Sequence, residues 1–230
     1  MSNEMHHERL RPKMMSFDVF GTLISVRDSS YGAFGRIAAD AGARDLDVKA
    51  FWEHWEHRNI ARYWDSYRSY REICELSLAE TFEHFGVHGD SRLIEHYFEA
   101  FPSFFLYDDV VRTLDRLASR YKLAVVSNID DDLLASPPLQ RNFDLVCTAQ
   151  RAKGYKPDGT LFRYLIENSG CAKHEILHAG QSQFTDLVGG KPLGLTIAWI
   201  NRRQVDLDAS VPRPDFVFPD IQSLSRIVDI

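Results

Sequence analysis

Short apolar runs alternate with amphipathic segments along most of the chain. The strand-like runs occupy residues 14–19, 122–127, 143–147, 176–179, 195–200 and 215–218. Most of them are separated by segments with the three- and four-residue apolar spacing of helices. Strands that alternate with helices form parallel sheets, because each connection crosses one face of the sheet. The pattern therefore predicts an α/β fold with a doubly wound parallel sheet.

The pattern changes between residues 31 and 106, where helical periodicity dominates and aromatic residues concentrate. Apolar positions from Tyr70 to Phe85 repeat at helical spacing and stop at Gly86, which predicts one amphipathic helix with a glycine cap. We interpret residues 31–106 as an inserted α-helical cap, and residues 11–30 together with 107–230 as the α/β core. A chain of 230 residues is long enough for such a core and one modest insertion.

The first strand-like run carries an acidic residue near its end, Asp18, just before a Gly-Thr turn. A buried carboxylate is costly unless it is paired, and open α/β sheets bind ligands at the carboxyl ends of their strands. We therefore take Asp18 as the candidate nucleophile, whose carboxylate attacks carbon to give an ester that water cleaves. Phe20 provides no acid for the leaving group, which favours a leaving group that needs little protonation, such as halide.

Four short motifs, at residues 14–23, 125–128, 154–158 and 177–186, together resemble those of the haloacid dehalogenase superfamily. The aromatic Phe20 resembles the dehalogenase branch, because phosphatases of the superfamily carry a second carboxylate at that position. The resemblance covers nearly the whole chain. It implies a Rossmann-like core with a helical cap, and a hydrolase of the 2-haloacid dehalogenase type.

Polar side chains at neighbouring strand ends complete the candidate catalytic set. Hydroxyl and amide groups are offered by Thr22, Ser127 and Asn128. These groups are suited to holding the Asp18 carboxylate and the substrate carboxylate in an attack geometry. Lys156 is expected to keep Asp18 ionised. The resemblance implies that Asp186 anchors Lys156 and positions the hydrolytic water.

The sequence also departs from the characterised dehalogenases. Glu53 stands where they carry an arginine, Phe162 where they carry a tyrosine, and Gln181 where they carry a serine. The run at residues 128–130 is instead shared with other relatives. One of these opens the strained ring of azetidine-2-carboxylate by the same aspartyl attack, which leaves a C–N bond as an alternative target.

A second group of residues is expected to replace the missing arginine. Trp55, Arg58 and Arg62 follow one another at three- and four-residue spacing, so one helix face presents two guanidinium groups beside an indole. This spacing predicts an anion pocket that faces Asp18, with a solvated arginine face as the alternative. Phe20 and Gln183 are also predicted to contact substrate.

The sequence lacks two of the carboxylates expected for a tight Mg²⁺ site, because Phe20 and Gln181 stand where phosphatases of the superfamily carry Asp. We therefore expect no metal and no cofactor. In the alternative of a Mg-dependent phosphatase, the ion would be held by Asp18, the Phe20 carbonyl and Asp186. A non-catalytic member that uses the cap for binding is a further alternative.

Composition limits the partners. Lys and Arg total 27 against 33 Asp and Glu, for a net charge of -6 without a long basic stripe, which argues against nucleic-acid and membrane partners. We expect a small carboxylate substrate and leave a homodimer open. Three cysteines without metal-ligand spacing and a polar segment at residues 1–13 indicate a cytoplasmic protein with reduced thiols.

Overall fold

A computed structural model describes residues 9–136 and 138–230. Six strands in this part of the chain form one parallel sheet in the order β3-β2-β1-β4-β5-β6. The strands are β1 (Met14–Phe17), β2 (Lys122–Ser127), β3 (Leu145–Thr148), β4 (Ile176–Gly180), β5 (Thr196–Ile200) and β6 (Phe216–Phe218). Each overlaps one of the predicted apolar runs. The predicted doubly wound α/β fold is confirmed.

Helices connect the strands and fill the long interval between β1 and β2. The α-helices are α1 (Arg27–Asp40), α2 (Val48–Ala61), α3 (Tyr70–His84), α4 (Glu95–Glu99), α5 (Val110–Ala118), α6 (Asp131–Leu134), α7 (Ala149–Ala152), α8 (Thr160–Asn168) and α9 (Val188–Gly190). Single 3₁₀ turns occur at Arg62–Trp64, Ser91–Ile94, Phe101–Ser103, Lys173–Glu175, Lys191–Leu193 and Gln222–Arg226, and a π-helical turn at Gln183–Leu187.

Helix α3 begins and ends where its sequence predicts. The Ser69 hydroxyl accepts a hydrogen bond from the Glu72 backbone N–H at 3.2 Å, and the Glu72 carboxylate accepts one from the Ser69 N–H at 2.8 Å. This reciprocal capping box satisfies two N–H groups that the first helical turn leaves free. At the other end, Gly86 takes the left-handed conformation with φ 65°, which a residue with a side chain rarely adopts. The predicted helix is confirmed.

Both faces of the sheet are covered by apolar packing. Successive strand residues point to opposite faces, so Met15 packs with Leu114 and Leu224 on one side, while Met14 packs with Leu161 and Leu165 on the other. Burial on both faces is the usual arrangement of a parallel sheet, because its crossover helices lie on the two faces.

The segment from α1 to the turn at Phe101–Ser103, which we call the helical segment, has an aromatic core of its own. Phe34 packs on Trp55 with ring centroids 4.9 Å apart, and Tyr97 packs on Phe101 at 5.0 Å. The same cluster includes Tyr155 from the loop after α7. The helical segment therefore packs against loops at the carboxyl edge of the sheet. Its assignment as a separate cap domain over residues 31–106 stays a prediction.

None of the helices in the two described ranges is long and apolar enough to cross a membrane. Of the polar segment at residues 1–13, residues 1–8 lie outside the described part of the chain.

Candidate active site

The strand order creates a crevice at the carboxyl edge of the sheet. β1 lies between β2 and β4. The chain adds β2 and β3 on one side of β1 and then crosses over to add β4, β5 and β6 on the other side. Ligands of open α/β sheets bind at this kind of reversal point. Asp18 follows β1, Ser127 ends β2 and Gly180 ends β4. The polar residues predicted from separate motifs therefore converge at one edge.

The Asp18 carboxylate is held through both of its oxygens. Oδ2 accepts a hydrogen bond from the Thr22 hydroxyl at 2.6 Å, and Oδ1 is paired with the ammonium group of Lys156. The Thr22 oxygen in turn accepts a bond from the Gln181 N–H at 2.9 Å. Asp18 is only 5% exposed. The orientation of the carboxylate is therefore fixed before any ligand arrives.

Lys156 joins the first, second and fourth motifs. Its Nζ lies 2.9 Å from Asp186 Oδ1 in addition to its contact with Asp18. Its backbone N–H donates to Asn128 Oδ1 at 2.9 Å, which fixes the loop that carries it. The ammonium group thus lies between two carboxylates in the protein interior, with 2% of the residue exposed.

Asp186 is fully buried, and both of its oxygens are bound. Oδ1 also lies 3.3 Å from His178 Nε2, and Oδ2 accepts from the Ser182 N–H at 2.9 Å. His178 Nδ1 lies 3.0 Å from the Ser16 hydroxyl. Gly180 is required here, because a Cβ at that position would overlap the Asp186 carboxylate. Sequence reasoning assigned no role to His178 or Ser16; the signal was two polar residues inside otherwise apolar strands.

Burial and charge act in opposite directions on this trio. Burial raises the pKa of Asp18 above its ordinary value, although Lys156 opposes the shift. Burial alone would lower the pKa of Lys156, but the neighbouring charges of Asp18 and Asp186 outweigh it and raise that pKa. For Asp186, Lys156 and His178 overcome the effect of burial and lower the pKa to about 2. Lys156 is therefore a stable cation, and Asp186 is its permanent counter-charge.

A cavity of about 550 Å³ opens beside Asp18. The sheet edge contributes polar and aromatic groups, and the helical segment contributes aromatic groups together with charged and polar ones. The lining includes Asp18, Phe20, Ser127, Asn128, Lys156, Trp52, Trp55, Ile60, Tyr63, Tyr70 and Tyr97. A volume of this size accommodates a small organic molecule.

Three predicted substrate-binding residues line this cavity. Phe20 lies beside Asp18, with its ring centroid 5.3 Å from that of Phe101. Trp55 is buried, and its indole N–H donates a hydrogen bond to the Cys74 carbonyl at 3.1 Å. The Gln183 amide is already engaged, since its Oε1 accepts from the Asp208 N–H at 2.8 Å.

The predicted orientation of Arg58 and Arg62 toward Asp18 is wrong. Arg58 Nε donates to Glu80 Oε2 at 2.6 Å, Arg62 is paired with the same carboxylate, and neither residue lines the cavity. Glu80 lies on α3, the neighbouring helix, so the two arginines tie α2 to α3. Helical spacing placed them correctly on one face, but that face meets Glu80 and not the site.

Other charged residues take their place around the cavity. Arg27 and Arg203 line it, as do Glu53 and Glu56. Burial raises the pKa of Glu56, while Arg203 and Arg27 act against that rise. Sequence reasoning missed Arg27, Arg203 and Glu56. Arg27 precedes the predicted insert and Arg203 lies beyond the last motif, so no spacing rule connects them.

The donor set does not fit a tightly held divalent cation. Lys156 pairs with both Asp18 and Asp186, and the second oxygen of Asp186 is bound to the Ser182 N–H. Within the described residues, no cluster of three or more His, Cys, Asp or Glu side chains has the arrangement of a metal site. Mg²⁺ prefers several oxygen ligands and carboxylates to balance its charge. We derive no catalytic step through a metal.

Comparison of the sequence with known protein families identifies the family of this chain. A model of the haloacid dehalogenase-like hydrolases matches residues 16–200, which include the last three motifs and all but the first two residues of the first. The chain belongs to this family. The predicted superfamily and the prediction of a hydrolytic enzyme are therefore confirmed.

Dehalogenases are among the relatives of this family member. The chain is 25% identical over 197 residues to (S)-2-haloacid dehalogenase 4A of Burkholderia cepacia, covering 81% of this chain and 82% of the relative. It is 22% identical over 227 residues to haloacetate dehalogenase H-2 of Moraxella sp. (strain B), covering 94% of this chain and 97% of the relative. The solved structure of L-2-haloacid dehalogenase from Xanthobacter autotrophicus shares the fold, with a TM-score of 0.79 at 22% identity. The match covers 94% of this chain and 97% of that one.

Proposed function

We propose that the protein hydrolyses the bond between C2 and its substituent in a small 2-substituted carboxylate, with a 2-haloacid as the preferred substrate. The observation that carries the proposal is the Asp18 carboxylate, fixed by Thr22 and Lys156 beside a cavity that aromatic side chains help to line. Two residues after Asp18, Phe20 stands where a second carboxylic acid would otherwise lie. The site therefore holds an oxygen nucleophile suited to attack on carbon, and position 20 supplies no acid for a poor leaving group.

In the first step, a carboxylate oxygen of Asp18 attacks C2 from the side opposite the substituent. The new C–O bond forms as the C–X bond breaks, and X leaves as an anion with the bonding pair. Lys156 stabilises the ionised nucleophile before attack. Fixing both reactants in the cavity removes much of the entropic cost of the displacement.

In the second step, water attacks the carbonyl carbon of the Asp18 ester. The acyl C–O bond breaks, and one proton of the water passes to the departing alkoxide oxygen, so that the 2-hydroxy acid leaves. The other proton is released to solvent, and Asp18 regains a carboxylate that contains one oxygen from water. Lys156 lies where it can stabilise negative charge on the ester oxygen during this attack. Asp186 holds Lys156 in that position, and Ser127 and Asn128 contribute polar groups to the cavity wall.

The helical segment acts as the cap in this proposal. Its aromatic side chains, including Trp55 and Tyr97, form the wall of the cavity opposite the sheet edge. These aromatic side chains reduce the water around the carboxylate and make the charged nucleophile more reactive. The names of the Burkholderia cepacia and Moraxella relatives, which act on haloacids and haloacetate, support the same substrate class.

One observation favours a second substrate, a strained cyclic amine such as azetidine-2-carboxylate. Glu53 and Glu56 bring carboxylates to the cavity, and these would attract an ammonium group that a haloacid lacks. Attack of Asp18 on C2 would then break the C–N bond, and ring strain would assist the departure of the nitrogen. The amine would remain attached to the product.

The two substrates and the phosphatase alternative give different products. Purified protein is incubated separately with L-2-chloropropionate, with azetidine-2-carboxylate, and with p-nitrophenyl phosphate plus Mg²⁺. Chloride, a new primary amine, and phosphate are then measured, with Asp18→Asn as the control in each case. Chloride release that requires Asp18 is the predicted result. Phosphate release alone would contradict the proposal.

A further inference from the structure

Two residues that line the cavity beside Asp18 carry buried hydrogen-bond donors for which the described residues provide no partner. Trp52 is 0% exposed, and its indole Nε1 has no hydrogen-bond acceptor within the described residues. Arg27 Nε is likewise buried without an acceptor in this part of the chain. The two groups are neighbours, since the Arg27 guanidinium carbon lies 5.8 Å from the centroid of the Trp52 indole. Both residues line the same cavity as Asp18.

Other tryptophans show that the state of Trp52 is unusual. The Trp55 indole donates to the Cys74 carbonyl at 3.1 Å, and the Trp199 indole donates to the Gln181 carbonyl at 2.8 Å. Trp64 is mostly exposed, so water is available to it. Buried polar groups in proteins almost always have a partner, and each exception calls for an explanation. A ligand in the cavity is one such explanation.

The chemistry of the two donors indicates the kind of ligand. An indole N–H and a guanidinium N–H can only donate, so their partner must be an acceptor. The positive charge of Arg27 favours an anion. The Nε–H and a terminal N–H of arginine form a planar fork that matches the two oxygens of a carboxylate. Arg58 and Arg62 do not compete for this role, because Glu80 holds both of them.

We infer that Arg27 and Trp52 form the subsite that receives the carboxylate of the substrate. The inference rests on the proposed function, because it assigns one end of the proposed substrate. Glu53 and Glu56 lie in the same cavity, but neither makes an ion pair with Arg27 within the described residues. The Nε–H of Arg27 is therefore free to donate to a ligand. The substrate carboxylate held there and the C2 atom that reacts would then lie in the same cavity as Asp18.

Binding of propionate tests the subsite without any turnover, because propionate has no leaving group. Calorimetric titration of the full-length protein with propionate is compared with propionamide, which has the same size and no charge. The wild type should bind propionate and bind propionamide at least about tenfold more weakly. Arg27→Met should weaken propionate binding by about tenfold or more. Arg58→Met is the matched control and should leave it unchanged.

Trp52→Phe separates a binding role from a packing role. Phe keeps an aromatic ring but has no N–H, so propionate binding should weaken severalfold. The indole N–H makes no hydrogen bond within the described residues, so its removal breaks none that would lower the melting temperature of the free protein. A weakened affinity in Arg27→Met with an intact far-UV circular dichroism spectrum supports the subsite. Unchanged propionate affinity in both Arg27→Met and Trp52→Phe overturns it.

Two further outcomes distinguish this inference from the proposed function. If propionate binding depends on Arg27 but no C2 substituent is ever released, the subsite stands and the proposed reaction fails. If haloacid turnover is found and KM is unchanged in Arg27→Met, the reaction stands and the subsite fails. Bromide is titrated in parallel. Displacement of propionate by bromide at lower concentration than by acetate would assign the subsite to the leaving halide and overturn the carboxylate assignment.

Discussion

The ammonium group of Lys156 lies 2.9 Å from Asp186 Oδ1, inside a region where neither side chain is more than 3% exposed. The same ammonium group pairs with Asp18. One lysine thus faces two carboxylates that have different roles in the proposed reaction. Asp186 is fully enclosed, with hydrogen bonds to both of its oxygens, whereas Asp18 borders the cavity. Their substitution should separate stability from catalysis.

Asp186→Asn is expected to destabilise the fold, and Asp18→Asn is not. The pKa of Asp186 is lowered to about 2, so its ionised form contributes to stability above the ordinary carboxyl pKa, and that contribution is lost as pH falls toward 2. The contribution is about 2 kcal/mol at neutral pH. Burial raises the pKa of Asp18, so a neutral side chain there relieves a cost.

Urea unfolding at pH 7 measures both variants against the wild type. Asp186→Asn should lower the unfolding midpoint, and Asp18→Asn should leave it unchanged or raise it while turnover is abolished. The stability deficit of Asp186→Asn should shrink as the pH is lowered. The opposite ranking of the two variants would mean that Asp18, and not Asp186, is the structural partner of Lys156.

The pH dependence of turnover should report the raised pKa of Asp18. Attack requires the carboxylate, so kcat/KM should fall as pH decreases through the pKa of this group in the free enzyme. Because burial raises that pKa above the ordinary 3.8, the acid limb should lie above pH 3.8. A pH profile of kcat/KM, with circular dichroism at each pH as the control for folding, measures it. An acid limb below 3.8 contradicts the described environment of Asp18.

Arg58 and Arg62 should matter little for catalysis. Both pair with Glu80 between α2 and α3, and the Arg58 side chain is 40% exposed. Exposed ion pairs contribute at most about 1 kcal/mol to folding. Arg58→Met and Arg62→Met should therefore leave kcat and KM unchanged and lower the unfolding free energy only slightly. Glu80→Gln removes the common partner and should reproduce the small stability loss. A large fall in kcat with either arginine would restore their predicted role at the site.

Much of the fold follows from local sequence. The runs that became β1 and β2 are mostly apolar because both sheet faces are covered, and Ser69, Glu72 and Gly86 define the ends of helix α3. The meeting of Asp18 and Lys156 could also be predicted, because the motifs that contain them resemble those of one superfamily. Strand position alone would not suffice, since Asp18 follows β1 directly but α7 lies between β3 and Lys156.

The far wall of the cavity could not be predicted in the same way. The spacing of Arg58 and Arg62 defines a helix face, but only the packing of α2 on α3 decides that Glu80 meets that face. Arg27 and Trp52 come together across two helices, and the missing partner of a buried indole is visible only in three dimensions.

Removal of divalent cations should leave the activity intact. Lys156 provides the positive charge beside Asp18 that a metal ion would otherwise supply, and Gln181 provides no carboxylate. Turnover of L-2-chloropropionate after exhaustive dialysis against EDTA should equal that of the untreated protein. Loss of activity that is restored by Mg²⁺ would favour the metal-dependent alternative, in which the ion supplies the Lewis acid.

The covalent role of Asp18 is the central claim, and a single turnover in ¹⁸O-labelled water tests it most directly. With enzyme in excess over L-2-chloropropionate, mass spectrometry is applied to the peptide that contains Asp18 and to the lactate product. Attack of water on the aspartyl ester should place one ¹⁸O in Asp18, while the lactate hydroxyl carries unlabelled oxygen from the protein. Label in the lactate hydroxyl and none in Asp18 would contradict the ester mechanism.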